Sequence, residues 1–312
     1  MTGSPKVSII IPTYNEEKDI LQTLEFLHNL DYNNFEILII DDSNDSTPEI
    51  INNFKSNKIN YFRPENRAGR CEARNLGIKK SKGEILIILN ADVLLPKNFI
   101  KNILKHYKNG ADYVLVESEV ENIGSMYARY IGCQHKYDRY KKKNADKWMW
   151  TEGFSIKKES VLKTNLFPSG YLVPIVAGED ARFGKELIEL NLKKKLDLNI
   201  VVKHNAPSSF KEFWNIRKGR GQGTPQIRRF LDKWSFSKIL IFELIKFTLR
   251  LLSMILLLPN MFKALSWSFY STPRNRALDS IRFFYCKVIE DFATSYGAFS
   301  MLKSIYLKEN LN

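Results

Sequence analysis

Carboxylates recur directly after short apolar runs in this chain, where a carboxylate can accept hydroxyl hydrogens, hold a hard cation or take up a proton. Pro12-Thr13-Tyr14-Asn15-Glu16 follows the run Val7–Ile11. It offers an aromatic ring for a ring system and a carboxylate for hydroxyls, although a turn leading into a helix needs no more than these residues. Asp41-Asp42-Ser43 follows Glu36–Ile40. There a carboxylate can reach a base edge or a ribose hydroxyl, or simply cap the next helix. Asn90-Ala91-Asp92 follows Glu84–Leu89, and Asp92 suits Mg2+ or Mn2+, ions that take one or two protein carboxylates and fill the remaining positions with phosphate and water. Further on, Glu179 and Asp180 stand side by side at an expected helix start. Their repulsion raises one pKa towards that of a general base, and the helix N-terminus opposes the shift. Arg67 and Arg70 precede Ala73-Arg74-Asn75 at another helix start, a place for a diphosphate or for ordinary surface charge.

These clusters need a scaffold that brings strand ends together. Val7–Ile11, Glu36–Ile40, Ile59–Phe62, Glu84–Leu89 and Asp112–Val116 read as five short strands, the longer ones buried on both faces. Between them, Ile20, Leu24 and Leu27 line one face of a helix, Pro48 opens a second behind Ser46 or Thr47, and Pro96 opens a third carrying Phe99, Ile103 and Tyr107. Alternating strands and helices predict an α/β fold with a mostly parallel sheet, whose ligands bind at the carboxyl ends of the strands.

The chain has 312 residues, 44% hydrophobic and 26% charged, enough for one large core or two modest ones. The opening apolar run is five residues long and closed by Pro12, so neither a signal peptide nor a spanning helix is expected there. Three scattered cysteines, at 71, 133 and 286, exclude a disulfide framework or a thiolate metal cage and fit a reducing compartment. The formal charge is +14, and residues from Val201 onward carry 18 Lys and Arg against 7 Asp and Glu. An anionic partner is expected for that last third. Within it, Ile239–Leu258 is nearly all apolar, but Glu243, Lys246 and Arg250 share one helical face. That pattern suits a helix lying in a membrane interface, with a core-packing helix bearing a solvated stripe as the alternative. A boundary near residue 232 is expected, with 1–232 catalytic and 233–312 helical, basic and membrane-associating.

In order and spacing, KVSIIIPTYNEE, ILIIDDSNDST, GRCEARNLGI, GEILIILNADVLLP and GEDARFG together resemble the family 2 inverting glycosyltransferases of GT-A fold, over about residues 5 to 205. The resemblance implies a nucleotide-diphosphate sugar donor and a divalent cation. It assigns Pro12, Thr13, Tyr14 and Glu16 to base and ribose, Asp42 to the base edge, and Arg70 to the diphosphate. Asp92 matches the last Asp of the family's DxD metal motif, whose first position is here Asn90, an amide that still accepts hydroxyl bonds but brings no charge. Asp180 matches the catalytic base, with Glu179 beside it, and His204 sits where some members place a further metal or phosphate contact. Ser209–Gly221 resembles the aromatic and Arg segment over the donor diphosphate, and Trp214, Arg217 and Arg220, with Glu179 and Trp150, are expected on the acceptor or phosphate side. A glycan or lipid-linked acceptor, such as a polyprenyl or dolichyl phosphate, and an anionic surface at the cytoplasmic face of a membrane follow as expected partners. The oligomeric state stays open. A sugar-nucleotide binder without turnover is the alternative raised by Asn90. A nucleic-acid binder is disfavoured because no familiar nucleic-acid motif occurs, and a nucleotidyltransferase because no Gly-rich activating loop with its Lys does.

Overall fold

The computed structural model describes residues 4–65, 69–138 and 149–311, so Arg67 lies outside the described residues. The chain forms two compact units. The first comprises Met1–Glu119, Lys147–Ser169 and Asp180–Asn205, the second Val120–Asp146, Gly170–Glu179 and Ala206–Asn312. The division therefore interleaves three segments of each unit, where the sequence suggested one cut near residue 232.

The first unit is built on one sheet of eight strands. In chain order these are β1 (Val7–Thr13), β2 (Phe35–Asp41), β3 (Ile59–Phe62), β4 (Ile85–Ile88), β5 (Val93–Leu94), β6 (Tyr113–Val120), β7 (Phe154–Lys157) and β8 (Lys194–His204). Their order across the sheet is β3-β2-β1-β4-β7-β6-β8-β5. β3, β2, β1 and β4 run parallel, β7 is antiparallel to both β4 and β6, and β5 is antiparallel to β8. All five expected strands exist; β5, β7 and β8 were missed. β7 is four residues of mixed polarity, and β8 reads KKLDLNIVVKH, whose exposed first half shows no apolar run.

Burial on both faces explains why β1, β2 and β4 are continuous apolar runs. Ile9, Ile11, Ile37, Ile39, Ile85 and Ile87 belong to one core that also takes Ile20, Leu24 and Leu27 of α1 (Ile20–His28) and Phe99 and Ile103 of α4 (Phe99–Lys108). On the opposite face, α3 (Gly69–Lys80) lies so close to β1 that a Cβ on Gly77 would stand 2.3 Å from Ile10 Cγ2. α2 (Thr47–Asn53), α6 (Lys158–Val161) and α7 (Glu179–Glu189) complete the helices flanking the sheet.

The second unit is helical: α5 (Met126–Lys136), α8 (Phe210–Gln226) with a π-helical turn at Ile227–Leu231, α9 (Phe236–Ile255), α10 (Leu258–Ser268) and α11 (Arg276–Leu311). Tyr130 sits at its centre, edge-on to Phe213, Trp267 and Phe283 at centroid distances of 5.6, 5.3 and 5.5 Å. Such edge-to-face pairs add to the burial of the rings. α8 and α11 meet backbone to backbone through glycines on both sides. A Cβ at Gly221 would lie 2.1 Å from the Thr294 carbonyl oxygen, and one at Gly297 would lie 2.1 Å from that of Lys218. Arg129 and Asp279, both buried, are joined by two bonds of 2.8 and 2.9 Å. Burial alone raises the Asp279 carboxyl, and the hydrogen bonds from Arg129 and Ser271 more than reverse it.

The solvated stripe of the core-packing alternative is not found. Glu243, Lys246 and Arg250 do share a face of α9, but it is turned inward: Glu243 is 2% exposed and pairs with Lys246 at 3.1 Å, while Arg250 donates to Ser295 Oγ on α11 at 2.8 Å. The apolar face is the outer one. Among the described residues no helix is long and apolar enough to cross a membrane.

Gly297→Ala forces a methyl group against a main-chain carbonyl that cannot swing aside. It is expected to destabilise the second unit by roughly 1–3 kcal/mol or more, read as a lower denaturant midpoint, whereas Gly219→Ala, in open space inside α8, is expected to raise the midpoint, by up to about 1 kcal/mol. Asp279→Asn leaves Arg129 buried without its counter-charge and is expected to cost about 3–5 kcal/mol in the same measurement.

Candidate functional site

Parallel pairing puts Thr13 beside Asp41 at the ends of β1 and β2, and their side chains bond at 2.7 Å. Asp41 is a hub: its carboxylate also accepts from Tyr61 at 2.7 Å and from Arg63 at 3.3 Å, and takes the Ser43 N–H at 3.1 Å. The two strand-end loops are then stitched together. Asn15 N–H donates to Ser43 Oγ at 2.8 Å, Asn44 N–H to Asn15 Oδ1 at 3.0 Å, and Glu16 N–H to Thr47 Oγ1 at 2.8 Å. Asn15 takes a positive φ of 58°, a conformation asparagine tolerates better than most residues, and this turns the chain sharply ahead of Glu16. Tyr14 is left 41% exposed beside it.

Asp42 reaches the other way. Its Oδ2 accepts the N–H of Gly69 at 2.8 Å, tying β2 to the first residue of α3 and so to Arg70. Arg70 in turn acts on Glu16. Burial and the neighbouring Asp19 and Asp45 push the Glu16 carboxyl up to about 7, with Arg70 pulling against them.

Asp92, in the turn between β4 and β5, is raised to about 7 as well. Burial is the main cause, Glu16 and Glu152 add repulsion, and His204 opposes the rise. Asp92 thus feels Glu16, Glu152 and His204, and Glu16 in turn feels Arg70, near the carboxyl ends of β1 and β4. His204 is paired in register with Val93, and its Nδ1 is bonded to Ser118 Oγ at 3.0 Å, so any ligand role falls to Nε2. Asn90 is accounted for by a buried cation: Arg74, 1% exposed, donates to Asn90 Oδ1 at 3.0 Å and to Thr151 Oγ1 at 3.2 Å, with its guanidinium 4.9 Å from the Phe167 ring centre.

The donor set decides what ion fits. Among the described residues no group of three or more His, Cys, Asp and Glu side chains has the arrangement of a protein cage. A partly buried Asp92 beside His204 instead fits a hard cation that takes most of its ligands from a bound diphosphate and water.

The remaining expected residues divide. Asp180 opens α7 in the first unit and accepts the Ala181 N–H at 2.7 Å. Trp150, also in the first unit, is 6% exposed and donates its indole N–H to the Val116 carbonyl at 3.0 Å, so its ring supports β6 and is not presented to an acceptor. Glu179, Trp214, Arg217 and Arg220 belong to the second unit. Glu179 is buried there. Arg217 is not a phosphate ligand on the surface as expected: it is 1% exposed, 3.3 Å from Glu290 and 2.9 Å from Gln134 Oε1, with Tyr130 and Phe213 rings against its guanidinium. Burial raises the Glu290 carboxyl, and Arg217, Lys287, Tyr130 and Arg220 together bring it below the usual range. Trp214 is half-buried, its ring 6.0 Å from Phe210 and 6.2 Å from Tyr296. Arg220 is exposed.

Two residues of the site, Glu152 and Ser118, escaped the sequence. Asp41 and Arg74 stood inside motifs that were singled out, Asp41-Asp42-Ser43 and Ala73-Arg74-Asn75, but their part in holding the site, with Asp41 as a hub and Arg74 on Asn90, comes from the structure.

Residues 8–168 match the family model described as Glycosyl transferase family 2. Over 236 residues the chain is 31% identical to dolichyl N-acetyl-alpha-D-glucosaminyl phosphate 3-beta-D-2,3-diacetamido-2,3-dideoxy-beta-D-glucuronosyltransferase of Methanococcus voltae, a match covering 66% of this chain and 69% of that protein. It is 31% identical over 116 residues to glycosyltransferase GlyG of Streptococcus pneumoniae, covering 36% of this chain and only 38% of that relative's length. Among solved structures, the mannosyltransferase PcManGT of Pyrobaculum calidifontis, determined with GDP-Man and Mn2+, superposes with a TM-score of 0.61 at 20% identity, covering 97% of this chain and 88% of that one. That likeness shows a GT-A fold. A family match over half of the chain, joined to this fold, has one meaning: the chain belongs to glycosyl transferase family 2.

Proposed function

We propose that the protein moves a sugar from a nucleoside-diphosphate donor to a hydroxyl or phosphate acceptor, with inversion at the anomeric carbon. The observation that carries this reading is the stitched edge where β1 and β2 end, with Thr13 bonded to Asp41, the Glu16 N–H to Thr47 and Asp42 to the start of α3. The partly buried Glu16 and Asp92 repel one another there, which is costly without a cation or hydroxyl donors, and a sugar nucleotide with its metal brings both.

In this reading Tyr14 packs on the base, Glu16 accepts ribose hydroxyl hydrogens and Asp42 meets the base edge. Pro12 and Thr13 set the loop, since the Thr13 hydroxyl is committed to Asp41. Arg70 balances diphosphate charge. Asp92 and His204 Nε2 hold Mg2+ or Mn2+, with Asn90 accepting from a sugar hydroxyl or from Arg74. When bound, the cation neutralises charge developing on the leaving diphosphate oxygen. Asp180 accepts the proton of the incoming acceptor group as the new bond to the anomeric carbon forms on the face opposite the departing diphosphate. The Methanococcus voltae relative is named for a dolichyl-linked sugar phosphate, which supports a lipid-linked acceptor; in this reading the protein works at the cytoplasmic face of a membrane.

Two measurements test this. Asp180→Asn is expected to lower turnover by about 100-fold to 10,000-fold while donor affinity, followed by calorimetry, stays within about threefold; turnover near the wild-type value removes Asp180 as the base. The second is a thermal-shift series across pH. Asp92 carries a raised pKa, so the stability it contributes is fully present below its unfolded value near 3.8 and is lost as pH rises through about 7. The melting temperature of the free protein is expected to fall between pH 5 and 8 by an amount that Asp92→Asn diminishes. Mn2+ with a uridine or guanosine diphosphate sugar, binding the ionised form, is expected to raise the melting temperature most above pH 7 in wild type and little in Asp92→Asn.

A further inference from the structure

The three C-terminal helices of the second unit are built inside out. Between Lys233 and Lys308 the acidic residues are Glu243, Asp279, Glu290 and Asp291. None faces outward: Glu243, Asp279 and Asp291 are buried and Glu290 is partly so, and they meet Lys246, Arg129, Lys287 and Arg217 in turn. What the same helices turn to solvent is apolar. Leu249 is 60% exposed, Ile255 74%, Leu258 61%, Phe262 67% and Ile281 71%. These residues run from the second half of α9 through the turn into α10 and on to the start of α11. The exposed charges among them, Lys263, Arg274 and Arg276, are all cationic.

An outer face of this kind is too apolar for water, and no helix among the described residues is long and apolar enough to span a bilayer. Its charge says what covers it. A second copy packed on the same patch about a twofold axis brings its own Lys263, Arg274 and Arg276 against these three, and like charges oppose the contact. An anionic lipid leaflet attracts them.

We propose that α9, α10 and the first turns of α11 seat the second unit on an anionic membrane leaflet, with Leu249, Ile255, Leu258, Phe262 and Ile281 inserted among the upper acyl chains and Lys263, Arg274 and Arg276 at the headgroups. The contact has two components that respond differently to salt. Headgroup attraction is screened at high ionic strength, and apolar insertion is not. The proposal rests on this unit alone and is independent of the donor site.

The full chain is sedimented with vesicles of phosphatidylcholine, or of phosphatidylcholine mixed with phosphatidylglycerol, at about 0.1 M and about 0.5 M salt. Wild type is expected to pellet with the anionic vesicles at low salt and to retain part of that binding at high salt. The triple substitution Leu249→Ser, Ile255→Ser, Phe262→Ser is expected to weaken binding by about tenfold or more at both salts, with an unchanged melting temperature and unchanged nucleotide-sugar binding. Lys263→Glu with Arg276→Glu is expected to abolish the preference for anionic vesicles. Should the triple variant fail to fold, Phe262→Trp serves instead: its emission shifts to the blue and is quenched by lipids brominated on the acyl chain. Absence of pelleting with either vesicle, a triple variant that binds like wild type, or an unquenched Trp overturns the proposal. So does a lipid-free dimer in sedimentation velocity that the triple substitution dissolves, which identifies the face as a self-association surface. Since nucleotide-sugar binding is measured without vesicles, loss of either property is told apart from loss of the other.

Discussion

The register of β1 between β2 and β4 is the constraint on which the site depends. Because these strands run parallel, their carboxyl ends emerge at one edge, and the pairing of Thr13 with Asp41 fixes how far each projects. A slip of one residue turns every β1 side chain to the other face. It separates Thr13 from Asp41, undoes the Asn15 and Glu16 bonds to the β2 loop, and removes Glu16 from the neighbourhood of Asp92. The apolar side chains on both faces of β1 hold that register, so the core and the polar edge are specified by the same seven residues.

The edge they create is under electrostatic tension. Acidic groups from three separate stretches meet where burial penalises their ionised forms, and among the cations nearby Arg70 eases Glu16 while His204 eases Asp92. The second unit shows the opposite solution to the same problem. There Glu243, Asp279 and Asp291, all buried, each have a cation at hand, and Arg129 with Asp279 forms a closed, two-bonded pair. At the strand ends the raised carboxyls of Glu16 and Asp92 are only partly offset by Arg70 and His204, unlike the paired acids of the helical unit.

What was legible in the sequence follows from how local the cause is. β1, β2, β4 and the first half of β6 declared themselves because burial leaves uninterrupted apolar runs, and the polar clusters after β1, β2 and β4 were visible because each sits within a few residues of its strand. β7 and β8 were hidden, since their places in the sheet come from partners far along the chain and their own residues are mixed. Trp150 and Arg217 looked like ligand-facing groups by type, yet a neighbouring carbonyl claims the first and Glu290 the second. The charged face of α9 was correctly recognised as one face. Its direction was not legible, because periodicity tells which side chains share a side and is silent on which side meets α11.

The paired glycines between α8 and α11 bear on how this protein is handled. Gly221 and Gly297 allow two main chains to touch, and α11 also supplies Phe283, Cys286 and Ile289 to the ring cluster around Tyr130. The final helix is thus a structural wall and not a detachable tail. Trimming the chain ahead of residue 276 to rid it of greasy surface strips one side from the aromatic core, trading an outer patch for an inner wound.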